Sequence, residues 1–378
     1  MMPAVSVIIL HPDAAPGAGP LARLLAEARA VVAEEQRRAF RSLGAHDVRL
    51  IAGPPDELPF GRRLAGLVSP LDREGLVVLG SGAVPLARPG DLGPFVDTAG
   101  RRDRVALANN RFSADMVAIA RAAELPPIPD LPGDNALPRW LAERAGWQVR
   151  DLGARWRLQV DLDSPLDLLL ATGHSSCPPR LRELAATAGD RLATVRDRLR
   201  AVRSVIADRR AELVVAGRTS ATTLRWLERR TPCRVRALVE ERGLRAASPR
   251  AQREDHGAAR SEASARPPRS VLGILLDRTG PEALGSLLSE LGEAALVDTR
   301  VLLAHRLGAD ERAWPPPEDR FASDLLDPPS IADPWLRALT AAAVAAPIPI
   351  LLGGHTLVGP GVRLVAGSGL RPGARRTG

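Results

Sequence analysis

Val160-Asp161-Leu162-Asp163-Ser164-Pro165-Leu166-Asp167-Leu168-Leu169-Leu170-Ala171 sets three carboxylates between an apolar approach and an apolar helix start. Arg157 to Val160 reads as a strand, and Pro165 suits the first turn of the helix that follows. A strand feeding a helix in this way is the unit from which α/β sheets are built. On a strand end, Asp161 and Asp163 lie two apart and point to one face, where they can share a divalent cation such as Mg²⁺. The competing reading is structural: Ser164 or Asp163 caps the helix, and Asp167 favours the positive end of its dipole.

Working outward, the same alternation recurs. Val5 to Leu10 is a β-branched first strand, Leu21 to Leu43 has helical spacing, and Val48 to Ile51 and Gly75 to Leu79 are further strands. Asp91 to Ala99 is a helix, Val105 to Ala108 a strand, and Asp134 to Ala145 a helix. A first domain therefore spans residues 1–172. From Leu181 to Ile206, apolar residues recur at alternating steps of three and four, which predicts one long amphipathic helix within a connector at 173–210. Its seam either pairs two subunits in a homodimer or packs on its own domain.

A second α/β rhythm fills 211–366, with strands at Leu213 to Ala216, Val235 to Val239, Val271 to Leu276, Ala295 to Asp298 and Ile348 to Leu352. Thr222 to Arg230, Pro281 to Leu291 and Pro334 to Ala345 are its helices. Residues 246–268 read as a disordered insertion and 367–378 as a basic tail. The expected fold class is α/β, with two doubly wound, mainly parallel sheet domains joined by a long amphipathic helix.

Composition narrows the function classes. The chain has 378 residues, 45% hydrophobic and 25% charged, as an ordinary globular protein does. No apolar run reaches the roughly 20 residues needed to span a bilayer, and Met1 to Leu10 is a poor signal peptide, so no membrane partner and a cytoplasmic location are expected. The net charge of +8 comes entirely from arginine, interleaved with acids, and no basic stripe alternates with aromatics. A nucleic-acid partner is therefore not expected. Cys177 and Cys233 are too few for a disulfide framework or a cysteine-rich zinc site, and read as inert thiols.

The stretch at 160–171 resembles the Asp-x-Asp-Thr-Pro-x-Asp-Leu signature of the molybdenum-cofactor and 2-phospho-lactate guanylyltransferases, which share the GT-A nucleotidyltransferase fold. Pro85, Leu86, Pro89, Asp91 and Leu92 resemble a second family segment, but Ala83 stands where the family has a metal-binding Asp. The resemblance covers about residues 4–171. It implies Asp161 and Asp163 as catalytic and metal-binding residues. Gly17, Gly19 and Arg23 would meet phosphate, as would Gly80, Ser81 and Gly82. Asn109, Asn110, Arg111 and Ser113 would hold the acceptor.

The implied activity is Mg-dependent transfer of a nucleoside monophosphate from a nucleoside triphosphate to a phosphorylated or hydroxylated small-molecule acceptor. With Ala83 in place and no lysine in the chain, a catalytically degenerate nucleotide- or phosphometabolite-binding partner or regulatory protein is the alternative. In the second domain, Arg218 and His355 are the candidates, His355 with Asp298 or His305 at neighbouring strand ends.

Overall fold

A computed structural model describes residues 4–54, 58–69, 75–131, 133–240, 269–308 and 310–367. The chain divides into two compact units. The first comprises Met1–Leu162 and Ser175–Ala186, and the second comprises Asp163–His174 and Thr187–Gly378. The α/β class with mainly parallel sheets holds for both. The predicted insertion at 246–268 and the predicted tail at 367–378, apart from Gly367, lie outside the described residues.

The first unit carries strands β1 (Val5–Pro12), β2 (Asp47–Gly53), β3 (Gly75–Gly80), β4 (Val105–Ala108), β5 (Met116–Ile119) and β6 (Gln148–Asp151), in the order β2-β1-β3-β5-β4-β6. β1 pairs in parallel with β2 and β3, β4 pairs in parallel with β6, and β5 is antiparallel to both its neighbours. Strand alternation sends Val7, Ile9, Val77, Leu79 and Met116 to one face, against Phe40 and Phe95. The other rows, including Ile8, Leu76, Val78 and Ile119, meet Leu64, Leu137 and Trp140. Both faces are covered, which explains the near-continuous apolar composition of β3.

The second unit carries β7 (Glu212–Gly217), β8 (Arg234–Val239), β9 (Ala294–Asp298) and β10 (Ile350–Gly353), all parallel, in the order β10-β9-β7-β8. The two central strands, β7 and β9, are buried almost throughout, and β8 alternates as an edge strand does.

Several expected elements are corrected. Trp156–Gln159 is a 3₁₀ turn, not a strand, held by side chains: Arg157 pairs with Asp91, and the Gln159 amide donates to the Asn109 carbonyl. Val271–Thr279 is a helix capped by Ser270, with Leu272 and Leu276 buried and Val271 and Leu275 exposed. A short apolar run does not distinguish strand from helix by periodicity. The helix expected over 134–145 resolves into a 3₁₀ turn, a short α segment and a π-helical turn.

The long connecting helix is broken. Pro179–Thr187 and Ala193–Ala207 are separate helices with a 3₁₀ turn, Gly189–Leu192, between them. Glycine weakens a helix interior by ~1 kcal/mol relative to alanine, and Gly189 stands at the break. In the second of these helices the seam residues Val195, Leu199, Val202 and Ile206 are buried within their own unit, where the helix packs on β7, β9 and β10.

Candidate functional site

In open parallel sheets, ligands bind beyond the carboxyl ends of strands where the order of the strands reverses. In the first unit that point lies between β1 and β3, because the chain adds β2 on one side of β1 and β3 on the other. The segments leaving these two strands hold Gly17, Gly19 and Arg23, and Gly80, Ser81 and Gly82 respectively. Gly17 has a φ of +79°, which a side chain would strain. Gly19 is the N-cap of the helix Pro20–Ser42, and Arg23 is exposed, donating back to the Ala18 carbonyl.

The β3 segment is fixed on one side by 160–162. Asp161 forms an isolated antiparallel bridge with Ala83, the Leu162 amide donates to Gly82 (2.9 Å), and the Val84 amide donates to Val160 (3.1 Å). Asp161 is thereby held beside the glycine loop. Ala83 turns its methyl into the core, and Val84 adopts a positive φ of 46°, uncommon for a β-branched residue. A side chain at Gly82 would come within 3.0 Å of Arg29 Nε and 3.1 Å of the Leu162 carbonyl. That glycine admits the chain's own neighbours rather than a ligand.

His11 at the end of β1 was not singled out by sequence. Its Nδ1 lies 2.9 Å from Ser81 Oγ. Burial, and then Arg29, draw its pKa below the ordinary value, against the opposing pull of Asp13. The row Val7-Ile9-His11 held the signal, since it is an apolar alternation that ends in a titratable group at a strand's carboxyl end.

The two Pro-x-Asp segments are helix starts. At the first, Asp91 Oδ2 accepts from the Arg88 amide at 3.1 Å, and Asp91 is also paired to Arg157 at 2.9 Å. At the second, Asp167 Oδ2 accepts from the Asp163 amide, the Ser164 amide and Ser164 Oγ, capping the helix start. The structural alternative for Ser164 and Asp167 is thus what the backbone shows. Asp161 and Asp163 do not share a strand face, and the chain passes from the first unit to the second between Leu162 and Asp163.

The acceptor loop is mostly structural. Asn109 is fully buried, and its amide donates to Asp115 and the Leu158 carbonyl while its oxygen accepts from the amides of Asp115 and Met116. No polar atom of its side chain is left for an acceptor. Asn110 Oδ1 accepts from the Phe112 amide, Arg111 lies over the exposed Phe112 ring, and Ser113 is half-buried nearby.

In the second unit the strand order reverses between β7 and β9, where a buried polar centre stands. Arg218 Nε donates to Asp298 Oδ2 at 2.6 Å, and Arg300 is paired twice with Asp324, at 2.5 and 2.6 Å. The Arg300 amide donates to Asp298 Oδ1, joining the two pairs. Burial alone would raise the Asp298 carboxyl, but Arg218, with His355 and Arg300, holds it below the usual range. Burial lowers His355 to about 4, with Arg218 adding to the effect. Asp167 is pushed up to about 8 by burial and then by Asp163 and Asp324.

The structure thus brings together Arg218, Asp298 and, electrostatically, His355. His305 belongs elsewhere: its Nδ1 accepts from the Ser270 amide and its Nε2 faces Asp277 at 2.9 Å. Arg300 and Asp324 carried no sequence signal, because their pairing is made between two helices, Thr299–Leu307 and Pro317–Asp324, at no fixed spacing. Both cysteines are buried and free, and burial pushes the Cys177 thiol up to about 11, as inert thiols require.

Among the described residues no three His, Cys, Asp or Glu side chains gather as a metal cage would require, and no helix is long and apolar enough to cross a membrane. No family model matches the chain, and no curated protein does.

Proposed function

We propose that this chain is a nucleotidyltransferase-like protein that binds a nucleotide or phosphorylated metabolite on its first unit, at the carboxyl ends of β1 and β3. The observation that carries this reading is the departure of both glycine-bearing segments from the two strands that flank the reversal of strand order. Backbone amides, Arg23 and Ser81 suit the oxygens of a phosphate chain. The same reading makes it a cytoplasmic protein with small-molecule rather than nucleic-acid partners.

A binding or regulatory role is favoured over transfer. Asp91 and Asp167 are engaged in capping, and Ala83 turns into the core where the family has a carboxylate. This donor set does not fit a magnesium centre built on two acidic segments, so no step is routed through a metal. Transfer to a small-molecule acceptor is the second reading, favoured by Asp161, whose bridge to Ala83 keeps a carboxylate at the β3 segment.

Calorimetry with a panel of nucleoside triphosphates, with and without Mg²⁺, tests both. Binding that is weakened by Arg23→Ala and indifferent to Mg²⁺ and to Asp161→Asn supports the binding role. Binding that needs Mg²⁺ and is lost in Asp161→Asn, with pyrophosphate release on adding an acceptor, supports transfer. Absence of nucleotide binding refutes transfer, and absence of inorganic pyrophosphate binding as well refutes the binding role.

A further inference from the structure

Sheet geometry brings one titratable pair to the reversal point of the first unit. Residues of β1 and β3 are in register from Val5 opposite Gly75 to Leu10 opposite Gly80, and the Ser81 amide continues the pairing by donating to the Leu10 carbonyl at 2.8 Å. Side chains alternate, so Val7, Ile9 and His11 form one row, and Val77, Leu79 and Ser81 the row beside it. Both rows are apolar core until their last member, where each becomes polar. His11 is half-buried and Ser81 is buried, with 2.9 Å between Nδ1 and Oγ.

A hydroxyl is suited to this position because it both donates and accepts. Beside a neutral imidazole, Ser81 Oγ donates to Nδ1 and leaves the proton on Nε2. Beside an imidazolium, the hydroxyl rotates and accepts from Nδ1. The charged and titratable groups acting on His11 are Asp13, beyond the same strand, and Arg29, from the helix Pro20–Ser42.

We propose that His11, oriented by Ser81, contacts the phosphate of the bound ligand through Nε2 and takes up one proton from solvent as the ligand binds. The inference rests on the reading that the first unit binds a phosphorylated ligand at this edge. It adds a proton-linked residue that the family resemblance did not implicate. In the free protein, burial and Arg29 disfavour the imidazolium form, against the opposing pull of Asp13. A phosphate dianion beside Nε2 opposes both effects, so protonation and binding favour each other. No bond to phosphorus forms or breaks, and the proton comes from buffer.

The experiment is calorimetry of the full chain with GTP and, separately, inorganic pyrophosphate, in two buffers of different ionisation enthalpy at pH 7. The expected result is a heat that differs between buffers, reporting proton uptake, and an affinity that rises as pH falls toward 6, by up to about tenfold per pH unit. His11→Gln should abolish the buffer dependence and weaken binding about tenfold, with an unchanged thermal melt showing that the fold is retained. Ser81→Ala should keep the proton uptake and weaken binding less.

Buffer-independent heat in the wild type, or unchanged affinity in His11→Gln, overturns the role given to His11 while leaving phosphate binding intact. If His11→Gln fails to fold, a ¹H–¹⁵N imidazole spectrum of the wild type decides the matter, since the His11 resonance must shift toward the imidazolium form on adding GTP. Absence of binding by either probe overturns both this role and the reading on which it rests.

Discussion

Asp298 closes β9 with a fully buried carboxylate, and Arg218, one residue beyond β7, meets it with two nitrogens at 2.6 and 3.2 Å. Asp298 Cβ also lies 2.3 Å from where a side chain at Gly217 would begin, and Gly217 has a φ of +142°. The ion pair and the glycine are one device, because the backbone must lie this close for the guanidinium to reach.

Removing one partner of a buried pair leaves the other uncompensated. Asp298→Asn should therefore destabilise the second unit by about 3–5 kcal/mol, read from urea unfolding. Gly217→Ala should cost at least ~2 kcal/mol through both clash and strain. A change below ~1 kcal/mol in either variant would contradict this account.

Asp167 links stability to pH. Its folded pKa, about 8, lies above the ordinary 3.8, so the folded state holds a proton that the unfolded chain releases. The stability that this proton confers is complete below pH 3.8 and is lost as pH rises through about 8. His355, lowered to about 4 from 6.5, contributes stability present above pH 6.5 and lost as pH falls through about 4. The two slopes oppose one another below pH 6.5, so the clean window is pH 6.5 to 8. There the wild type should lose stability with rising pH, by up to about 1.4 kcal/mol per unit, while Asp167→Asn should stay level. Equal slopes for the two proteins would contradict the shift.

Leu199 is packed within its own unit, so Leu199→Ala should lower stability by about 2–5 kcal/mol. The loss should not depend on protein concentration. Unfolding midpoints that move with concentration in the wild type but not in the variant would instead show that this helix pairs subunits.

Asn109 and Asn110 are neighbours with different roles. Asn109→Ala breaks a buried four-bond network and should cost more than ~2 kcal/mol. Asn110→Ala removes one local turn bond and should stay within ~1 kcal/mol, both read by thermal melting.

The sheets were legible in the sequence where strands are buried on both faces and helices carry one apolar stripe. Val5 to Leu10, Gly75 to Leu79 and Leu213 to Ala216 announce themselves because parallel strands must be apolar throughout. Met116–Ile119 escaped, as four apolar residues behind a polar loop carry no period. Val271 to Leu276 reads as a strand yet belongs to the helix Val271–Thr279, because Val, Leu and Ile suit a strand and a helix equally, and the deciding cap, Ser270, acts through geometry.

Among the site residues, His355 reads with Asp298 or His305 because all stand at strand ends, whereas the ion pair of Arg218 with Asp298 is visible only in the fold. Asp161 and Asp163 could not be resolved, since a paired-carboxylate motif and a capped helix start use the same residue types at the same spacing. Asn109 shows the reverse limit. A polar side chain after a strand suggests a ligand, yet only the fold shows that all its hydrogen bonds are internal.

The division of the chain has a consequence for anyone who would dissect it. The backbone passes between units after Leu162, returns at Ser175 and passes again after Ala186. A gene truncated at residue 172 therefore yields no natural fragment, because the cut takes Asp163–Thr172, with the helix that carries Asp167, away from the second unit. During synthesis, too, the first unit lacks its last piece until Ala186 has left the ribosome, by which time a helix belonging to the second unit has already emerged.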